Sequence, residues 1–159
     1  MRLILTLIIA FFESKISIND RSIINFYCTV GDGAIKHMRA HKYNNFFNPS
    51  LYTLFIRSGK WLDFFKNKMA IVYVKESYQY IKMIKYGKFQ TTTQIIHFDE
   101  KYFYVKISFF QDENLCAKGY YKMCFVKNNK TYPFSKIKDK IFMELKSNLL
   151  DDDKFFVIS

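Results

Sequence analysis

From Phe47 to Phe55 the apolar residues Phe47, Leu51, Leu54 and Phe55 recur at i, i+4, i+7 and i+8, the stripe of a helix packed into a core. Phe46 and Ile56 widen that stripe, so the helix is expected to be buried on most of its sides. A helix of this kind has no face to give to water, and the rest of the chain has to cover it. Pro49 falls inside the pattern and removes one backbone hydrogen bond. That predicts either a kink or a helix proper starting near Asn48, with Asn48 as N-cap ahead of Pro49. Gly59, after Arg57 and Ser58, is the expected left-handed stop. The segment before the helix carries His37, Arg39 and His41 toward a helix N-terminus, where free N–H groups and the positive dipole end favour an anion or a polarised carbonyl. A site is expected there.

The cover is legible as strands. Ser22 to Val30 has the β-branched and aromatic content of a strand and runs into the turn signal Gly31-Asp32-Gly33. After a short helical piece, Lys60 to Lys66, strand follows strand from Met69 to Lys127. In Tyr102 to Phe110, residues Phe103, Val105, Ile107 and Phe109 share one face, while Tyr102, Tyr104, Lys106 and Ser108 share the other. Phe98 to Lys101 reads as a compact hairpin connection and Asp112-Glu113-Asn114 as the next turn, which predicts an antiparallel meander. Phe134 to Leu149 returns to helix periodicity, a second, amphipathic helix on the surface, and Asp151 to Asp153 read as a solvated tail.

One domain accounts for a chain of 159 residues. The net charge of +11 comes mostly from single scattered lysines, with only Arg2, Arg21, Arg39 and Arg57 as arginines. No basic cluster interleaves with a recognition motif or a Gly-rich phosphate loop, so no nucleic acid is expected as partner. Cys28, Cys116 and Cys124 lie in apolar runs without metal spacing and read as buried small hydrophobes. His37 and His41 stand four apart and could share a helical face, but no metal is expected from a lone pair of this kind.

Residues 1–12, MRLILTLIIAFF, are apolar after Arg2 and too short to span a bilayer as a helix. A signal or anchor and a folded element of the domain both remain open, and with them cytoplasmic, membrane-associated and secretory locations. Membrane association through this segment is one of the expectations.

The motifs carry a resemblance. His37-Met38, then Lys42-Tyr43, then Leu54-Phe55-Ile56-Arg57-Ser58-Gly59 resembles the pattern His-Met-Asn-Asn-x-Arg-Tyr followed by a helix ending Leu-Leu-x-Arg-Ser-Gly. Ile96 to Tyr104 resembles the hairpin Gly-Trp-Asp-Asp/Glu-Lys-Trp-Phe-Tyr. Both belong to the thioesterase-like superfamily, in the branch of acyl-CoA thioesterases and thioesterase-superfamily-member-6-type proteins. The resemblance implies an α+β, hot-dog fold: an antiparallel sheet of about five to six strands wrapped around a long central helix, with a C-terminal amphipathic helix added. It divides the chain into an N-terminal apolar segment and linker, 1–21, a thioesterase-like domain, 22–135, and a C-terminal helix and tail, 136–159. It implies hydrolysis of an acyl-CoA or similar acyl thioester by a homodimer or dimer of dimers, with CoA or an acyl carrier present only as part of the substrate. The alternative is an inactive relative that binds acyl chains or serves as a dimeric interaction module.

Resemblance also assigns candidate roles. A carboxylate activates water, and Asp32 is the acid in the loop before His37. His37 and Asn48 complete the catalytic set, while Arg39, Tyr43 and Asn45 are the substrate-binding candidates. The pattern's two acids fall at positions held here by Gly31 and Gly33, its Asn-Asn by Arg39-Ala40, and its acidic helix residue by Asn48.

Overall fold

In the computed structural model, which describes residues 2–34, 36–128 and 130–141, the chain begins with helix α1 (Arg2–Phe12) and strand β1 (Ser22–Cys28). A 3-10 turn (Val30–Asp32) then leads into the short strands β2 (Gly33–Ala34) and β3 (His37–Met38). A second 3-10 turn (Ala40–Lys42) enters the central helix α2 (Asn44–Arg57), and α3 (Trp61–Lys66) follows. The meander is β4 (Ala70–Tyr80), β5 (Gly87–Phe98), β6 (Phe103–Gln111), β7 (Asn114–Lys127) and β8 (Lys130–Tyr132), ending in α4 (Phe134–Ile141). The sheet is antiparallel and six-stranded, in the order β1-β5-β6-β7-β4 with β8 beside β7. This is the α+β, helix-in-sheet arrangement expected from the motifs.

As its stripe required, α2 is buried on most sides. Phe46, Phe47, Leu51, Leu54 and Phe55 join one cluster with Phe26, Phe89, Phe109, Tyr121 and Phe125 from the sheet. Phe46 sits edge-on between Phe26 and Phe89, at 5.2 and 4.9 Å. The polar residues that α2 itself turns to this core satisfy themselves. Ser50 Oγ donates to the Phe46 carbonyl at 2.7 Å and Thr53 Oγ1 to that of Pro49 at 2.8 Å.

The helix does not start at Asn48. It begins at Asn44, Pro49 lies within it, and Asn48 is no N-cap. A proline in the second turn leaves the carbonyl of Asn45 without its i+4 donor, and Asn45 is exposed, so water can take that bond. The C-terminus matches expectation. Gly59 takes φ 73°, its N–H donates to Ile56, and that of Lys60 donates to Phe55.

The N-terminal segment is a folded element here. α1 packs on α2 with Ala10 buried, and Arg57 holds its exit, pairing with Glu13 at 3.1 Å and donating to the Ser14 carbonyl at 3.0 Å. No helix among the described residues is long and apolar enough to cross a membrane. At the other end, α4 turns Phe134 and Ile137 into the core and leaves Ser135 and Lys136 exposed, as an amphipathic helix does. The expected helix beyond residue 141 and the tail at Asp151 to Asp153 lie outside the described residues.

Phe103, Val105, Ile107 and Phe109 face the core as expected, but the opposite face of the sheet is drier than the alternation implied. Ile96, Tyr104 and Tyr120 form a second small cluster there, with the Lys122 ammonium 4.4 Å over the Tyr102 ring. Asp99 closes the β5–β6 hairpin by accepting from the N–H groups of Lys101 and Tyr102 and from the Tyr104 hydroxyl. The three cysteines are free and buried, as expected.

Candidate active site at the start of the central helix

The loop into α2 is built on Asp32. Thr29 ends the strand run, and both its N–H (3.0 Å) and its Oγ1 (2.8 Å) donate to Asp32 Oδ2. The side chain is only 5% exposed. The Asp32 carbonyl accepts from the Arg39 N–H at 3.1 Å, which ties the acid to the residue preceding the turn into α2. The candidate base and the helix start are thus joined through a single backbone bond and one short turn.

Gly33 has no room for the acid that the family pattern places there. A Cβ there would lie 2.4 Å from the Tyr86 ring and 2.7 Å from the His37 carbonyl, so no side chain fits; a Cβ at Gly31 would meet nothing closer than Thr29 Oγ1 at 3.8 Å. Gly33→Ala is therefore expected to cost about 1–3 kcal/mol by overpacking. Gly31→Ala should stay within about 0.5 kcal/mol. Urea midpoints of the two variants check this.

His37 and Met38 pair with Ala34 and Gly33, and the Met38 N–H donates to the Ile84 carbonyl at 2.7 Å. His37 sits in a strand and His41 in a 3-10 turn, so they share no helical face. No group of three or more His, Cys, Asp or Glu that could hold a metal occurs among the described residues. Tyr43 is buried, its hydroxyl accepting from the Ile84 N–H at 3.3 Å while its ring meets Tyr80 edge-on at 5.2 Å. Burial raises its hydroxyl above the usual phenol range.

A groove of about 440 Å³ opens at this point. His37, Met38, Arg39, Ala40 and Tyr43 form one wall, and Tyr80, Ile81, Lys82 and Met83 the other. Of the expected residues, His37, Arg39 and Tyr43 are thus brought together. Asn45 and Asn48 lie instead on α2, Asn45 exposed and Asn48 accepting from the Tyr73 hydroxyl of β4.

Sequence reasoning missed the β4 side. Asn44, the first residue of α2, donates to Glu76 Oε2 at 3.2 Å and accepts from the Tyr121 hydroxyl at 2.9 Å; Tyr121 in turn meets the hydroxyl of Tyr78. Burial above all, with neighbouring charged forms adding to it, pushes both phenols well above their usual range, so at neutral pH they remain protonated donors. Gly119 makes room for this: a Cβ there would lie 2.8 Å from the Tyr78 ring. Tyr43, preceding α2, provides no side-chain cap and the first turn holds no acid, so no carboxylate from the helix itself competes for the amides there. The arrangement offers an anion-favouring helix end with Glu76 bonded to its first residue, and an apolar groove edged by Arg39 and Lys82; Asp32 is tied to it through the Arg39 N–H and does not line the groove.

Comparison with known proteins agrees with this architecture. The family model of the thioesterase-like superfamily matches residues 24–148. YbaW, a probable thioesterase of Escherichia coli, superposes with a TM-score of 0.70 at 13% identity, over 79% of this chain and 99% of its own. A hypothetical protein of Staphylococcus aureus solved in complex with CoA gives 0.66 at 15%, over 86% and 93%. A probable thioesterase of Bartonella henselae gives 0.65 at 11%, over 72% and 98%. At such identities these likenesses speak for the fold. No curated protein matches the chain in sequence.

Proposed function

This chain belongs to the thioesterase-like superfamily, and on that premise we propose that it hydrolyses an acyl-CoA or similar acyl thioester at the start of α2. The observation that carries the reading is an uncapped helix N-terminus with a buried carboxylate tied one short turn before it. In this reading Asp32 takes a proton from water as the water oxygen attacks the thioester carbonyl carbon. The resulting oxyanion is held by main-chain N–H groups at the start of α2. Collapse breaks the carbon–sulfur bond, and the proton held by Asp32 passes to the departing thiolate.

Arg39 and Lys82 supply positive charge for the phosphates of CoA, and Met38, Tyr80 and Met83 an apolar wall for the acyl chain. His37 orders the loop, and Asn45 and Asn48 stand on the helix outside the groove. The CoA held by the Staphylococcus aureus relative supports this choice of thiol. The active unit is a homodimer. β4 forms a sheet edge eleven residues long with Val72, Tyr73 and Val74 exposed, the kind of edge that pairs with another copy.

A second reading, an inactive acyl-chain binder or dimeric module, is favoured by one observation: Thr29 already occupies one oxygen of Asp32 twice. A thiol-release assay across short, medium and long acyl-CoA separates the two. Saturable turnover with at least one chain length is expected. Saturable binding followed by isothermal titration calorimetry, with no thiol released from any chain, would establish the binder instead.

A further inference from the structure

α1 is apolar on every side, yet only one side is used. Thr6, Leu7 and Ala10 lie toward the protein, with Ala10 fully buried against the domain. The other side leaves Ile4, Leu5, Ile8, Ile9, Phe11 and Phe12 exposed, Phe12 to 87%. A row of six large apolar side chains on one helix face is not the scattered exposure of an ordinary surface.

Exposed apolar residues recur on α3. The chain leaving α1 is fastened to Arg57 at the C-terminal end of α2, and α3 starts four residues after that arginine. α3 leaves Leu62 and Phe65 exposed, Phe65 to 64%. Around these two elements the charge is basic on balance: Lys15 follows α1, and Lys60, Lys66 and Lys68 bracket and follow α3, which itself carries the acid Asp63. Glu13, the acid at the end of α1, is already paired with Arg57 at 3.1 Å.

We propose that α1 and α3 form a docking face for an anionic lipid surface, lying in the plane of the headgroups with their apolar side chains among the upper acyl segments. An eleven-residue helix is about 16 Å long, roughly half the hydrocarbon thickness of a bilayer, so it lies in the interface and does not span. The basic rim matches anionic headgroups and the chain's net charge of +11 adds long-range attraction. A second copy fits this face poorly, because a two-fold pairing sets mostly lysines against lysines, with Glu13 already paired and only Asp63 on α3 to meet them. The inference does not depend on the reaction at α2.

Co-sedimentation of the whole chain with vesicles tests it, comparing phosphatidylcholine alone with an equimolar mixture of phosphatidylcholine and phosphatidylserine. Binding to the mixed vesicles is expected to exceed binding to the neutral ones by at least about tenfold and to weaken as salt rises. Phe11→Ser combined with Phe12→Ser should reduce it by about tenfold or more, and Leu62→Ser with Phe65→Ser should also weaken it. The melting temperature is expected to be unchanged, since these side chains are exposed. Vesicle binding that is absent, or that both double variants leave intact, overturns the proposal. So does a dimer in analytical ultracentrifugation that the Phe11/Phe12 variant dissociates, with no binding to lipid, which would assign the face to a second copy.

Discussion

Truncating Phe47 to alanine is expected to cost about 3–5 kcal/mol of stability, the largest effect of any single substitution considered for this chain. Phe47 is fully buried on α2, and its ring stacks on Tyr121 of β7 with centroids 3.4 Å apart and planes within 11°. The substitution removes a whole buried ring, leaves a cavity between helix and sheet, and forfeits the stacking contact. Domains of this kind are stable by only about 5–15 kcal/mol, so the variant sits near the edge of folding at physiological temperature. Urea denaturation should show a lower midpoint with an unchanged slope, because the same surface is exposed on unfolding. Phe12→Ala, on a side chain 87% exposed, is the control and should fall within about 0.5 kcal/mol. The damage should also reach the site, since Tyr121 bonds Asn44 at the start of α2.

That coupling marks where the sequence was readable and where it was not. The stripe Phe47, Leu51, Leu54, Phe55 and the stop at Gly59 were legible because burial and left-handed backbone each leave a periodic or single-residue signal. The hairpins were legible from their turn residues, and Asp112 and Glu113 do take positive φ between Gln111 and Asn114. Of the two readings at Pro49, the start near Asn48 fails because the packing of Phe46 and Phe47 outweighs one lost bond at an exposed turn.

The inward face of β4 was hidden by a different cause. Val74 interrupts the register between Tyr73 and Lys75, so Tyr73, which pairs with Met123, and Glu76, Tyr78 and Tyr80, which pair with Tyr121, Gly119 and Ala117, fall on one side although strict alternation separates them. Tyr73 reaches Asn48, Glu76 reaches Asn44 and Tyr80 reaches the Ala40 carbonyl. A bulge leaves no mark in a single sequence, and with it Glu76 went unseen.

Two carboxylates are therefore candidates for the base, Glu76 bonded to Asn44 and Asp32 tied by its carbonyl to Arg39, and their neutral counterparts distinguish them. Asp32→Asn is expected to lower kcat for acyl-CoA hydrolysis by about 10²- to 10⁴-fold, the usual contribution of a general base. Thr29 donates both of its bonds to one oxygen of Asp32, which the Asn carbonyl can accept equally, so the loop and its bond to Arg39 survive the substitution. Loss of rate then reports the missing charge rather than a collapsed turn. KM should change little, because the side chain acts on water and not on the bound thioester. Glu76 is exposed and its bond to Asn44 can be kept by the carbonyl of Gln, so Glu76→Gln should retain activity within about threefold, near what the loss of one weak surface interaction gives. The reverse pattern, a collapse of kcat in Glu76→Gln with Asp32→Asn active, would move the base across the helix start to β4. It would also make Asp32 a turn residue, as its two bonds from Thr29 already allow.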